Sequence, residues 1–357
     1  MKIAVFLPNW IGDAVMATPT VRAVRHHYAD AKLIGVMRPY IAEAMAGLPW
    51  LDETLYFHPR SKDPQLSSWQ LVRRLRRQRP DVALLLPNSM RAGILGWLSG
   101  APRRVGYAQY GRGPLLTDKL KFKKARGRFL PTPTMDTYLE LAYLLGCPIE
   151  PPQTELQTLP ADEAAADRVW QDLDLPPGNE LVVLNTGAAY GSAKKWPTAY
   201  FSQLAVRIAD QQQLAVLVIC GPQEREAAAE IAATANHPLV KSLAGQRLSI
   251  GLSKACVRRS RLMVSTDSGP RHFAAAFDVP VVTLYGPTHV TWGDTHYQHA
   301  VHLQRDVPCG PCMKRACPLA HHRCMEELSV EQVYGAVKKL LGETDRHPTC
   351  PEIGAHA

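Results

Sequence analysis

Short, uninterrupted apolar runs alternate with longer stretches of helical period in both halves of the chain. Residues 2–7 (KIAVFL), Lys32–Met37 (KLIGVM), Thr54–Phe57, Asp81–Leu86 (DVALLL) and Arg104–Tyr107 read as strands. A run such as DVALLL is apolar without alternation, which suits a parallel sheet covered on both faces. Helical patterns fall between them, at about Ala14–His27, Trp69–Gln78 (the strongly basic WQLVRRLRRQ) and Arg91–Ser99. The second half repeats the rhythm. Leu181–Leu184, Ala215–Cys220, Leu262–Ser265 and Val281–Tyr285 read as strands, with a short segment around Val240–Leu243. Helices are expected at 161–173, Glu224–Ala235, Ser249–Ser260, Pro270–Phe277 and 329–341. This alternation predicts open, doubly wound α/β domains.

Two stretches break the pattern. Residues 108–135 combine many Lys and Arg residues with Gly and Pro and read as an exposed basic loop. A helix at Met135–Leu145 follows, and Pro148–Pro160 is a proline-rich linker. With 357 residues the chain exceeds one typical domain. The expected division is 1–155, then 156–342 closed by a terminal helix, then a polar, disordered tail at 343–357.

Charge and composition narrow the partners. No apolar run reaches the roughly 18 residues a membrane span needs. Pro8, Asn9 and Asp13 interrupt the opening MKIAVFLPNWIGDAV, so it reads as a first strand rather than a signal peptide, and a cytoplasmic protein is expected. The formal net charge of +9 favours anionic partners: nucleotides, phosphorylated sugars or an acidic membrane surface. Nucleic acid is not expected, because no aromatic platform accompanies the basic residues. Eight cysteines, unevenly spread, do not make a disulfide scaffold.

The richest chemistry lies in LMVSTDSGPRHFAAAFDVPVVTLYGP, Leu262–Pro287, which reads as a βαβ unit. Asp267, Ser268 and Gly269 precede a helix that Pro270 opens, and a helix start suits a phosphate. Gly269 lets an anion approach the backbone, and Arg271 and His272 add donors. The structural alternative is a plain capped helix. Glycine turns also close the strands at 185–187, 221–222 and 286–288. Four such turns at one sheet edge point to a nucleotide diphosphate site.

Gly187–Pro197 (GAAYGSAKKWP) offers Lys194 or Lys195 as a point charge for a diphosphate, or two solvated lysines. Glu224 can take ribose hydroxyls or cap its own helix. Asp13, near the first strand's carboxyl end, can serve as a general base or only complement a helix dipole. No G-x-G-x-x-G fingerprint stands beside it. Cys309, Cys312, Cys317 and Cys324, spaced C-x2-C-x4-C-x6-C beside His321 and His322, can form a structural metal site, reduced thiols or a disulfide pair. That segment is not expected to carry the reaction.

Taken in order, IGDAVMATP, NTGAAYGSAKKWP, the CGPQE turn, STDSGPRHFAAA, YGPT and the segment containing CMEEL resemble the lipopolysaccharide heptosyltransferases of glycosyltransferase family 9, nearest the heptosyltransferase II branch. The resemblance runs to about residue 342. It implies a GT-B fold, two Rossmann-like domains facing a central cleft, with acceptor on the first and nucleotide sugar on the second. It implies inverting, metal-independent transfer from ADP-heptose, without a cofactor, to an anionic Kdo/heptose-lipid A acceptor at the inner face of the membrane. A monomer in peripheral contact with that membrane is expected. By motif position, Asp13 corresponds to the general base and Lys194 to the diphosphate-binding lysine. Asp267, Ser268, Gly269 and His272 correspond to the nucleotide-sugar turn, beside Gly187. Glu224 is a looser match, with Glu226 as its alternative, and the basic loop 119–128 is expected to face the acceptor. Another nucleotide sugar, an epimerase or a non-catalytic binder are the competing readings.

Overall fold

The protein is described by a computed structural model covering residues 1–344 except 126, 188 and 189. The first half runs β1 (Lys2–Phe6), α1 (Ile11–Met16), α2 (Thr18–His27), β2 (Lys32–Met37), α3 (Pro39–Met45) and β3 (Glu53–Tyr56). It continues with α4 (Ser68–Gln78), β4 (Val82–Leu85), α5 (Met90–Leu98), β5 (Arg103–Tyr107) and β6 (Asp118–Leu120). A small hairpin, β7 (Lys124–Ala125) with β8 (Arg128–Phe129), and α6 (Thr134–Leu144) complete it. The second half runs α7 (Pro160–Asp172), β9 (Leu181–Asn185), α8 (Thr198–Gln212), β10 (Ala215–Ile219), α9 (Arg225–Ala235), β11 (Val240–Ser242) and α10 (Ile250–Arg259). Then come β12 (Leu262–Thr266), α11 (Arg271–Ala276), β13 (Val281–Tyr285), β14 (Ala300–Gln304), α12 (Arg323–Glu326) and α13 (Val330–Thr344).

The halves build two parallel sheets of six strands, ordered β3-β2-β1-β4-β5-β6 and β11-β10-β9-β12-β13-β14. The topology is the same in both, and the chain reverses direction across each sheet between its first and fourth strands. Ligands of open α/β sheets bind beyond the strand ends at such switch points. In the first sheet the switch lies between β1 and β4, beside Asp13. In the second it lies between β9 and β12, beside Gly187 and Asp267. The central strands are fully buried, as their unbroken apolar runs require.

Several expectations are corrected. The helix expected over Ala14–His27 is two helices that meet at Ala17, because Pro19 lacks an N–H and opens α2. The first of them starts at Ile11, which places Asp13 in its opening turn. Residues 108–135 are not simply an exposed loop: Asp118–Leu120 adds the sixth strand, and Arg112 is fully buried, 0% exposed. Its guanidinium donates to the Tyr107 carbonyl at 2.7 Å and to Asn88 Oδ1 at 2.9 Å, and also to the Pro87 carbonyl. Arg112 therefore ties the end of β5 to the turn after β4. Arg112→Met should leave these buried acceptors unpaired and cost about 2–4 kcal/mol, read as a lower urea midpoint at unchanged slope.

The proline-rich stretch carries no regular element up to α7 and is gripped by Arg22, which pairs with Glu150 at 2.6 Å and with Glu155 and donates to the carbonyls of Pro151 and Gln153. The closing helix packs on α8, β12 and β13 and runs to Thr344. The tail expected at 343–357 lies, beyond that helix end, outside the described residues.

Candidate active site

The two halves meet through backbone. Gly12, in the first turn of α1, faces Gly269, which ends the turn after β12. A β-carbon on Gly12 would lie 2.7 Å from His272 Cδ2 and 3.3 Å from Gly269 Cα. On Gly269 it would lie 3.2 Å from the Gly12 nitrogen. Only residues without side chains permit this approach, so the starts of α1 and α11 confront one another across the cleft. Gly12→Ala should force them apart and lower kcat by about 10–100-fold with folding intact, checked by turnover beside a circular dichroism spectrum.

On the second-sheet side Asp267 is the hub. Its carboxylate accepts from Lys194 Nζ at 2.5 Å and from Thr288 Oγ1 at 2.5 Å, and pairs with Arg271 Nε at 3.3 Å. Lys194 also donates to the Asp267 carbonyl at 2.9 Å and lies 4.6 Å from the centre of the Tyr190 ring. Burial opposes ionisation of Asp267, but Arg271 and Lys194 outweigh it and hold the carboxyl at about 2. Two cations around one carboxylate leave one positive charge in surplus. Arg271 is buried, anchored to the Gly293 carbonyl and placed 5.4 Å from the Tyr285 ring centre.

A second set of bonds shapes the glycine turns. Asn185, at the end of β9, donates to Ser265 Oγ at 2.8 Å and Ser268 Oγ at 2.7 Å, and Thr266 Oγ1 donates to the Gly187 carbonyl at 2.5 Å. The turns after β9 and β12 are thus locked together, with Gly187 beside Ser268.

Asp13 sits opposite. Burial, reinforced by the negative charge of Asp267 and partly offset by Lys194, raises its carboxyl from 3.8 to about 6. Asp267 and Asp13 are pushed in opposite directions within one cleft, the pattern that separates a permanently charged carboxylate from one able to exchange protons near neutrality. Tyr138, from α6, is buried near enough for Asp13 to help raise its own hydroxyl. His272 is buried and, through desolvation and the nearby Arg271, held well below its usual value. It is a neutral imidazole at pH 7, and its buried Nδ1 has no hydrogen-bond partner among the described residues.

The remaining candidates sort by exposure. Lys194 is 8% exposed and paired, whereas Lys195 is exposed. Glu224 makes no capping hydrogen bond to α9; its carboxylate lies over the turn after β10, 2.7 Å from where a Gly221 β-carbon would be. Glu226 faces solvent. Among the described residues no three His, Cys, Asp or Glu side chains are placed to hold a metal ion. Cys309 Sγ lies 3.8 Å from His321 Nε2, and burial, reinforced by the neighbouring cysteines, raises the Cys324 thiol.

The cysteine-rich segment has a place in the site that its sequence did not reveal. The Arg315 carbonyl accepts from Ala193 N at 3.0 Å, and Tyr190 Oη donates to the Met313 carbonyl at 2.8 Å. A Gly191 β-carbon would lie 2.2 Å from the Arg315 oxygen. The Arg315 guanidinium lies 5.3 Å from the Tyr190 ring centre and 5.9 Å from that of Trp10, which belongs to the first half. The available signal was an aromatic residue inside each glycine loop, in NWIGD and GAAYGS.

Comparison with known proteins decides the family. The model of glycosyltransferase family 9 (heptosyltransferase) matches residues 68–322, well over half the chain. The chain belongs to glycosyltransferase family 9. Lipopolysaccharide heptosyltransferase 2 of Salmonella typhimurium is 29% identical to this family 9 chain, over 96% of it and 99% of the relative. The solved structure of E. coli ADP-heptose LPS heptosyltransferase II superposes with a TM-score of 0.76 at 22% identity, covering 97% of this chain and 100% of that one. E. coli heptosyltransferase WaaC with ADP gives 0.72 at 16% identity, over 95% and 100%. The fold is therefore GT-B, two Rossmann-like domains about a central cleft.

Proposed function

We propose that this family 9 glycosyltransferase moves a heptose from ADP-heptose to an anionic, lipid-linked inner-core acceptor of lipopolysaccharide, with inversion at the anomeric carbon. One observation carries the mechanism: a carboxylate poised near pH 6 on one domain faces a cationic, glycine-walled cage on the other. The names of the relatives supply the sugar and the nucleotide.

Asp13 takes the proton of an acceptor hydroxyl while that oxygen forms its bond to the anomeric carbon. The bond from that carbon to the diphosphate oxygen breaks, and its electron pair leaves with ADP. Negative charge grows on the diphosphate, and the surplus cation of the Lys194–Asp267–Arg271 group, with the amides at Ser268–Gly269 and the His272 ring, is placed to stabilise it. Protein cations take the role a metal ion would otherwise have, so no cofactor is required. Glu224, whose carboxylate lies over the turn after β10, takes the ribose hydroxyls. In the described residues no helix is long and apolar enough to cross a membrane. The enzyme works as a monomer in the cytoplasm and meets its acceptor at the inner membrane face, with the exposed lysines at 119, 121, 123 and 124 turned to anionic substrate.

The test is transfer of labelled heptose from ADP-heptose to Kdo-lipid A or its heptosylated form. The expected product is an extended glycolipid of inverted configuration, formed equally well in EDTA. No glycolipid but an altered nucleotide sugar would instead indicate an epimerase, and transfer from a different nucleotide sugar only would correct the donor.

A further inference from the structure

The outer face of the first domain carries a surface that the reaction does not use. Helix α4 buries Leu71, Val72 and Leu75 and turns Trp69, Arg73, Arg76 and Arg77 to solvent, with Arg79 just beyond its end. Trp69 is 73% exposed. Beside it α5 exposes Met90, Ile94 and Trp97, spaced i, i+4, i+7 along one face, with Ile94 41% and Trp97 55% exposed. Arg76 Nε donates to the Leu98 carbonyl at 2.8 Å and ties the two helices into one face. A groove between them is lined by Trp69, Val72, Arg91, Ile94, Leu95 and Leu98. Among the described residues, Arg73, Arg77, Arg79 and Arg91 form no ion pair.

A soluble domain gains nothing by presenting two tryptophans and an isoleucine amid five arginines. Tryptophan rings favour the headgroup level of a bilayer, where an apolar body and a polar N–H both find partners. Unpaired arginines gain energy at an anionic lipid surface and keep their stems on apolar groups. We infer that the α4–α5 face docks this enzyme on an anionic bilayer, with Trp69, Ile94 and Trp97 entering the headgroup layer and the arginines contacting lipid phosphates.

Position adds a second argument. Arg91 lines this groove and also a cavity of about 250 Å³ at the carboxyl edge of the first sheet, together with Asn9, Arg38 and Ser89. That cavity lies where the turns after β1 and β4 converge, at the sheet edge that also bears the helix carrying Asp13. A face seated on lipid thus adjoins the edge at which a lipid-linked sugar would have to arrive. The inference depends on the proposed function only for this last point, the direction of acceptor entry.

The test uses the full-length enzyme and vesicles of phosphatidylcholine with or without phosphatidylglycerol. The wild type should sediment with the anionic vesicles, weaken as salt rises, and show a blue shift of tryptophan emission. Trp69→Ser/Trp97→Ser and Arg73→Glu/Arg77→Glu should each lower partitioning at least tenfold. Both sets lie on the surface, so a native circular dichroism spectrum is expected, and Arg73→Lys/Arg77→Lys should bind as the wild type does. Turnover on a soluble, de-acylated acceptor should remain unchanged in all variants, while turnover on vesicle-borne acceptor falls with binding. Vesicle binding that the variants leave intact, or wild-type enzyme that ignores anionic vesicles, overturns the inference. So does a concentration-dependent dimer abolished by Trp69→Ser, which would make the face a contact between two copies. Face-dependent binding without heptose transfer would leave the docking surface standing and remove the proposed function instead.

Discussion

Asp13→Asn is expected to lower turnover by about 10²–10⁴-fold, the range attributable to a general base, while ADP-heptose affinity stays within a few-fold of wild type. The same substitution should stabilise the fold. The folded carboxyl sits at about 6 against an ordinary 3.8, so ionised Asp13 opposes folding. Below pH 4 it is neutral in both states and costs nothing. The penalty grows as pH rises from about 4 to about 6 and is complete above that. Removing the charge should therefore add roughly 1–3 kcal/mol at pH 7.5 and little at pH 4. Chemical denaturation of both proteins at the two pH values checks this, and a variant that is less stable at pH 7.5 would show that Asp13 is held by favourable bonds instead.

Lys194→Ala should act on the other domain. It removes one of the two 2.5 Å bonds to the Asp267 carboxylate and with it the positive surplus of the cage. Turnover should fall by about 10²–10³-fold, and affinity for ADP should weaken as well, since ground and transition states share the diphosphate. Stability should also respond, with the opposite sign from Asp13. Asp267 is held at about 2, below its unfolded value, so its stabilisation is present above pH 4 and is lost as pH falls towards 2. Without Lys194 the folded value rises, so this stabilisation is smaller above pH 4 and its loss is complete at a higher pH. Lys195→Ala, on an exposed side chain, should change neither quantity appreciably. Equal effects from the two lysines would argue for a diffuse field rather than a built site.

Much of this architecture was legible in the residues because parallel strands buried on both faces leave unbroken apolar runs, and DVALLL, LVVL and VVTLY announce themselves. Ala300–Gln304 escaped notice for the same reason. It is an edge strand reading AVHLQ, half-exposed, and nothing in its pattern distinguishes it from a loop. Asp118–Leu120 was hidden inside a basic stretch whose charge suggested solvent. Its companion Arg112 is buried only because carbonyls from two distant turns converge on it. The site divides similarly. Asp13 and the Asp267 turn could be placed by their positions at strand ends. That Lys194 and Asp267 bind each other, that Gly12 meets Gly269, and that Arg315 reaches Trp10 and Tyr190 are contacts between segments far apart in the chain. Spacing within a motif carries no information about them.

The pH dependence of kcat/KM, measured with saturating donor for wild type and Asp13→Asn, tests the central claim most directly. The account predicts a wild-type rate that falls tenfold per unit on the acid side of about pH 6, and a low residual rate in Asp13→Asn from which that acid limb is gone. An acid limb that persists unchanged in the variant would assign the proton to another group and contradict the proposed role of Asp13.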